Sequence, residues 1–97
     1  MKAPHGAHDL DWPALKALDM KRLVSDSRAV AAGDTFVAYP GETRDGRDFI
    51  PDALARGAGS VLWERRAFAW RPEWAVKNVG VEHLRRHAGG IASEVYG

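Results

Sequence analysis

Gly33-Asp34-Thr35-Phe36-Val37-Ala38-Tyr39-Pro40-Gly41 is the stretch that decides the fold. A β-branched and aromatic run of five residues stands between a Gly-Asp turn and a Pro-Gly turn, the punctuation expected of a buried strand. Upstream, Arg22-Leu23-Val24-Ser25 is a brief strand candidate that exits into the polar triplet Asp26-Ser27-Arg28. Downstream, residues 40–46 (Pro-Gly-Glu-Thr-Arg-Asp-Gly) form a loop, and a helix is expected from Asp48 to Arg56. Ile50, Ala53 and Leu54 mark its inner face, and Gly57 stands where helices end. Ser60–Glu64 reads as a third strand, Arg65–Glu73 as an irregular connector, and Trp74–Val79 as a fourth strand. Glu82–Tyr96 closes the chain as a helix, with Leu84, His87, Ala88, Ile91 and Val95 near one stripe. At the other end, Asp11 before Trp12-Pro13 caps a short helix over residues 12–18. Residues 1–9 read as a loose terminus.

Strands separated by helices predict an α/β fold: a single small domain with a sheet of about four to five strands flanked by helices. The helix after the central strand is a crossover to a parallel neighbour. The chain's 97 residues suit one domain.

Composition removes several functions. A net charge of +1 without a Lys/Arg block argues against broad nucleic-acid binding. With no cysteine, disulfides, thiolate chemistry and cysteine-ligated metals are out. The N-terminal residues lack a signal-peptide core and no run approaches a membrane span, so the expected location is cytoplasmic, with no membrane partner. No G-x-S-x-G, H-E-x-x-H or phosphate-gripping G-x-x-x-x-G-K-[ST] motif occurs. His83 and His87 are four apart, a spacing metals use on a helix, but no third ligand is evident and no metal site is expected. His5 and His8 fall in the loose terminus. Trp12, Trp63, Trp70 and Trp74 are spread over unlike elements, which suits packing better than base stacking.

Two segments carry binding chemistry. Ser27 offers a donor and acceptor, and Arg28 a planar fork suited to phosphate, at a strand's carboxyl end where α/β domains bind ligands. The alternative is a capped turn, with Asp26 and Ser27 bonding only nearby backbone. The loop Gly41–Gly46 lets backbone approach a flat ligand, with Thr43 and Arg44 as polar handles; the alternative is a plain connection. Asp45 and Asp48 are better suited to capping the next helix than to leaving an open anion site.

Asp26-Ser27-Arg28, Ala32–Ala38, Gly41–Ile50 and Ala53–Ala58, in this order and spacing, resemble the N-terminal domain of the Mur ligases, which build the peptide of bacterial cell walls. The match is dense over residues 22–64 and looser over 75–97. Two positions depart from the family pattern: Ala32 stands where Pro is usual, and Arg47, often His in the family, changes the local charge. The resemblance implies a domain over residues 10–97 that holds the UDP part of a UDP-MurNAc-peptide. Ser27 would bond the ribose-diphosphate region, and Glu42, Thr43 and Arg44 would line the uridine side. Asp26, Arg28, Gly41, Asp45 and Gly46 would support the loop. Within the family the likeness is greatest to the branch that adds the third amino acid of the peptide, the D-Ala-D-Ala-adding branch being the nearest alternative. It also implies that ATP and Mg2+ serve the full-length enzyme, through central and C-terminal domains outside this chain, and that no catalytic residue lies among these 97. A stand-alone interaction module, with the aromatic connector as its contact patch, is the competing expectation.

Overall fold

The computed structural model describes residues 10–97; His5, His8 and the terminus expected to be loose lie outside them. A four-stranded, all-parallel sheet runs in the order β1-β2-β3-β4, with β1 at Leu23–Val24, β2 at Thr35–Ala38, β3 at Ser60–Glu64 and β4 at Lys77–Val81. Helices α1 (Trp12–Ala17), α2 (Ile50–Ala55) and α3 (Leu84–Tyr96) complete the layers, with 3-10 turns at Ser27–Ala29 and Gly46–Phe49. Asp11 caps α1 by accepting from the Ala14 amide at 3.1 Å.

Side chains alternate across the sheet, and each face has its own core. Val37, Leu62 and Val81 pack with Leu15 and Leu18 of the α1 region and with Leu84 and Ile91 of α3. On the opposite face Phe36, Ala38 and Val61 meet Val30, Ile50 and Ala53, with Trp63, Phe68, Trp70 and Trp74 along the border. Every segment joining consecutive strands contributes to this second core, so all three crossovers lie on one face. That follows when sequential parallel strands are joined by crossovers of one hand. All four residues of β2 are buried, as expected of a central parallel strand. Between β2 and β3, the Thr35 and Ser60 hydroxyls satisfy each other at 2.6 Å.

Three expected elements move. The helix placed at Asp48–Arg56 is a 3-10 turn over Gly46–Phe49 that passes into α2 at Ile50. Asp45 caps that turn by accepting from the Arg47 amide, and Pro51 falls in the first turn of α2, where its missing N–H costs nothing. Ile50 and Ala53 are buried as expected, Leu54 only half-buried. The fourth strand begins at Lys77 opposite Ser60, not at Trp74. Trp74 is taken up by an aromatic cluster, edge-on to Trp70 at 5.0 Å and stacked with Phe68 at 6.2 Å. The last helix starts at Leu84 rather than Glu82. His83 precedes it in a left-handed conformation (φ 60°), so His83 and His87 do not share a helical face.

Candidate functional site

An open cleft of about 390 Å3 lies beyond the carboxyl ends of β1 and β2. Parallel α/β sheets bind ligands at that edge, because loops there can vary while the strands hold them. The polar wall is Ser25-Asp26-Ser27-Arg28, and Val37, Tyr39 and Phe49 supply apolar surface. The loop residues Gly41, Glu42, Thr43, Arg44 and Gly46 form the facing rim, with Asp52 beside them.

The Ser27 wall is built by its neighbour. The Asp26 carboxylate accepts from the Arg28 amide at 2.9 Å and from the Arg28 guanidinium at 3.1 and 3.0 Å. The guanidinium, then the amide, hold the Asp26 carboxyl below its usual range. Asp26 therefore does the turn capping, and Arg28 is spent on bracing Asp26. Ser27 is 6% exposed and lines the cleft, and its hydroxyl has no hydrogen-bond partner among the described residues. The turn capping in this triplet belongs to Asp26, and the Ser27 hydroxyl lines the cleft without a partner among the described residues.

The facing loop is closed on itself. The Gly41 amide donates to Arg44 O at 2.7 Å, the Gly46 amide to Tyr39 O at 2.9 Å, and Pro40 and Asp45 form an antiparallel bridge. At Gly46 a Cβ would stand 3.0 Å from Tyr39 O and 3.2 Å from Tyr39 N, so a side chain would push the loop off the strand end. The amides of Glu42, Thr43 and Arg44 have no backbone partner among the described residues and sit at the exposed tip. The Arg44 guanidinium lies 5.9 Å from the centre of the Phe49 ring. Among the described residues it has no carboxylate partner, whereas Arg28 is paired with Asp26 and Arg56 with Asp52. Among the described residues, Arg44 thus carries a guanidinium on the cleft wall with no carboxylate against it.

Eight of the nine residues singled out from the sequence converge here: Ser27, Glu42, Thr43, Arg44, Asp26, Arg28, Gly41 and Gly46. Asp45 does not line the cleft. It turns the other way, onto Arg47, whose fork meets its carboxylate at 2.8 to 3.1 Å. That contact, together with the Arg47 amide, outweighs partial burial and lowers the Asp45 carboxyl from its usual range. The expected change of charge at Arg47 therefore does not reach the cleft: the guanidinium is buried and paired. Sequence reasoning did not name Ser25, Val37, Tyr39, Phe49 and Asp52 as cleft residues. Tyr39 was findable as the last residue of the strongest strand, whereas Phe49 becomes a cleft residue only through the 3-10 turn. No group of three or more His, Asp or Glu side chains among the described residues is placed to hold a metal ion. Among the described residues the wall offers hydroxyls, amides without a backbone partner and, beside the paired Arg28, the unpaired guanidinium of Arg44, groups that suit a polar, anionic ligand.

Fold and cleft together define a parallel α/β domain with a polar cleft at the carboxyl ends of its strands. Residues 20–96 match the family profile described as "Mur ligase family, catalytic domain". Similar curated proteins are the UDP-N-acetylmuramoyl-L-alanyl-D-glutamate--2,6-diaminopimelate ligases of Nitrosomonas europaea and Chromobacterium violaceum. The first is 52% identical over 85 residues, covering 86% of this chain and 16% of that protein. The second is 51% identical over 92 residues, covering 90% and 19%. Among solved structures, MurF ligase from Thermotoga maritima in complex with ADP superposes with a TM-score of 0.61 at 34% identity, covering 79% of this chain and 17% of that one. MurF from Acinetobacter baumannii, at 23% identity and a TM-score of 0.63, shares the fold. The chain belongs to the Mur ligase family. It spans less than a fifth of the length of the curated relatives it matches.

Proposed function

We propose that residues 10–97 form the substrate-anchoring domain of an ATP-dependent cell-wall peptide ligase. The cleft holds the UDP moiety of UDP-N-acetylmuramoyl-L-alanyl-D-glutamate, and the parent enzyme adds 2,6-diaminopimelate as the third amino acid. The observation that carries this reading is the cleft at the ends of β1 and β2, lined both by Ser27, whose hydroxyl has no partner among the described residues, and by Glu42, Thr43 and Arg44, whose amides have no backbone partner there. A base edge asks for alternating backbone donors and acceptors, which the 42–44 tip offers. A diphosphate asks for hydroxyl and cationic cover, which Ser27 and Arg44 offer. Phe49 and Val37 provide apolar surface for a ring. The relatives at about half identity carry the diaminopimelate-adding name, which favours that branch over the MurF branch.

Ligation through an acyl phosphate needs ATP and Mg2+, and phosphoryl transfer needs cationic and N–H cover for the γ-phosphate. These 97 residues lack that motif, so ATP and Mg2+ belong to other parts of the parent protein, and these residues alone catalyse nothing. A ligase acting on such a nucleotide-sugar would work in the cytoplasm, the location proposed here. Among the described residues no helix is long and apolar enough to cross a membrane.

The test is an amide NMR titration with UDP, using UMP and inorganic phosphate as controls. Saturable shifts at Ser27 and over 41–46, stronger for UDP than for phosphate, are the expected result. Ser27→Ala should weaken UDP binding about tenfold, the loss of one hydrogen bond to a charged group, with the fold intact. No response to millimolar UDP in a folded sample would reject the anchoring role.

A further inference from the structure

Arg47 is 7% exposed and sits one residue beyond the cleft rim, yet it does not face the cleft. Its side chain reaches across the sheet edge. Nε and Nη2 fork onto the Asp45 carboxylate at 2.8 to 3.1 Å. Nη1 donates to Glu64 O at 2.8 Å and to Arg66 O at 2.7 Å, the carbonyls where β3 ends. The guanidinium also lies over the Phe68 ring, 4.7 Å from its centre. One buried group therefore ties the root of the ligand loop to the neighbouring strand and to the aromatic connector.

The rest of that loop is lightly held. Its tip is exposed, and its internal closure comes down to the Gly41–Arg44 and Gly46–Tyr39 backbone bonds. Asp45 is the last loop residue before the closing Gly46, so its position sets the angle at which residues 42–44 meet the cleft. We propose that Arg47 is a positioning residue for the cleft. It fixes Asp45 against the end of β3, and so holds the Glu42, Thr43 and Arg44 amides where a nucleoside diphosphate meets them. This inference rests on the anchoring role proposed above for its ligand. Its mechanical part, the latch itself, stands on geometry alone. A lysine keeps the charge but is a single point donor, and cannot span a carboxylate and two carbonyls from one planar group.

The test compares the wild-type chain with Arg47→Lys and Arg47→Gln in two measurements. The first is amide hydrogen exchange without ligand. Both variants should exchange at Gly41 and Gly46 about tenfold faster, while Phe36 and Leu62 in the sheet core keep their wild-type rates. Uniform loosening of loop and core would mean that Arg47 is a general brace, and unchanged loop rates would mean that it latches nothing; either overturns the proposal. The second is the UDP titration. In Arg47→Lys the apparent affinity for UDP should fall about tenfold at every reporter, because one ligand in one cleft has one Kd, and at saturating UDP the limiting shifts at 42–44 should shrink while the one at Ser27 is kept. Unchanged affinity, or limiting shifts at 42–44 as large as in the wild type, would overturn the positioning role. A wild-type chain that ignores UDP would instead reject the anchoring role, and the exchange measurement would still decide the latch.

Discussion

Removing the Glu64 carboxylate should unfold the amino end of α3, and the structure sets the size of the effect. Glu64 ends β3 and is 8% exposed. Its carboxylate accepts from the His83 amide at 3.0 Å and the Leu84 amide at 2.9 Å, the first donors of α3, and from the Arg66 amide at 3.3 Å. His83, at the capping position, makes no side-chain cap bond of its own. Glu64 is therefore the helix cap, delivered from 19 and 20 residues away in sequence. In Glu64→Ala the buried Leu84 amide loses its acceptor, a penalty of about 1–3 kcal/mol, and the less buried His83 amide adds to it. Loss of a negative charge at a helix amino end contributes about 0.3–1 kcal/mol more. The expected destabilisation is about 2–4 kcal/mol. Glu64→Gln keeps one oxygen acceptor but loses the charge, and should cost about 1 kcal/mol. Urea unfolding followed by tryptophan fluorescence measures both, and the slope of the transition should not change. The Glu64 carbonyl that Arg47 grips is main chain and survives both substitutions, so the loop latch is not what the experiment reads. A Glu64→Ala loss below about 0.5 kcal/mol, or a Gln variant as damaged as Ala, would refute the remote-cap reasoning.

Three further outcomes are expected. Phe36→Ala should cost about 3–5 kcal/mol in the same assay, because Phe36 is fully buried in β2 between two crossovers; a loss typical of a surface residue would contradict the central position of that strand. Gly80→Ala should cost about 1–3 kcal/mol and shift the tryptophan emission. Its Cβ would stand 2.8 and 2.9 Å from the Trp63 ring, whose Nε1 bonds Asn78, and unchanged emission would mean that the ring does not rest on Gly80. Acid should destabilise the fold. Asp34 is held below its usual range by the Arg22 guanidinium and the Ala31 amide, and Asp45 by the Arg47 guanidinium. A carboxyl with a lowered folded-state pKa adds stability that is present above its unfolded value of about 3.9 and is lost as pH falls through the folded value. Thermal stability should hold near pH 6–7 and drop below about pH 4, and Asp34→Asn should flatten the drop; an unaltered acid profile in that variant would remove Asp34 from the account.

The central part of the chain is legible because its signals are local. Thr35–Ala38 is a strand by composition and by its turn boundaries. Ser60–Glu64 is bounded as read, and Asp11 caps α1 with the residue types that helix starts use. The cleft is legible for the same reason: its two walls are contiguous segments, 25–28 and 41–46, each following a strand whose carboxyl end points the same way in a parallel sheet. The errors cluster where distant residues compete. Trp74 and Val76 have good strand propensity, but packing among Trp63, Phe68, Trp70 and Trp74 takes the first of them and delays β4 to Lys77. In the sequence Arg47 reads only as a change of local charge after Asp45-Gly46; only the folded chain brings the Glu64 and Arg66 carbonyls within its reach.

By itself the sequence determined the parallel α/β class, the order of its elements and the segments that wall the cleft. Those follow from periodicity, turn residues and the geometry of strand ends, each written within a few neighbouring residues. Tertiary structure alone decided that the Ser27 hydroxyl is left without a partner among the described residues while Asp26 serves the turn, that Arg47 points away from the cleft, and that α3 takes its cap from Glu64 at the end of β3. The physical reason is the same in each case. A buried donor or acceptor must be satisfied by whatever the fold brings near it, and which partner that is depends on contacts between segments that share no local pattern.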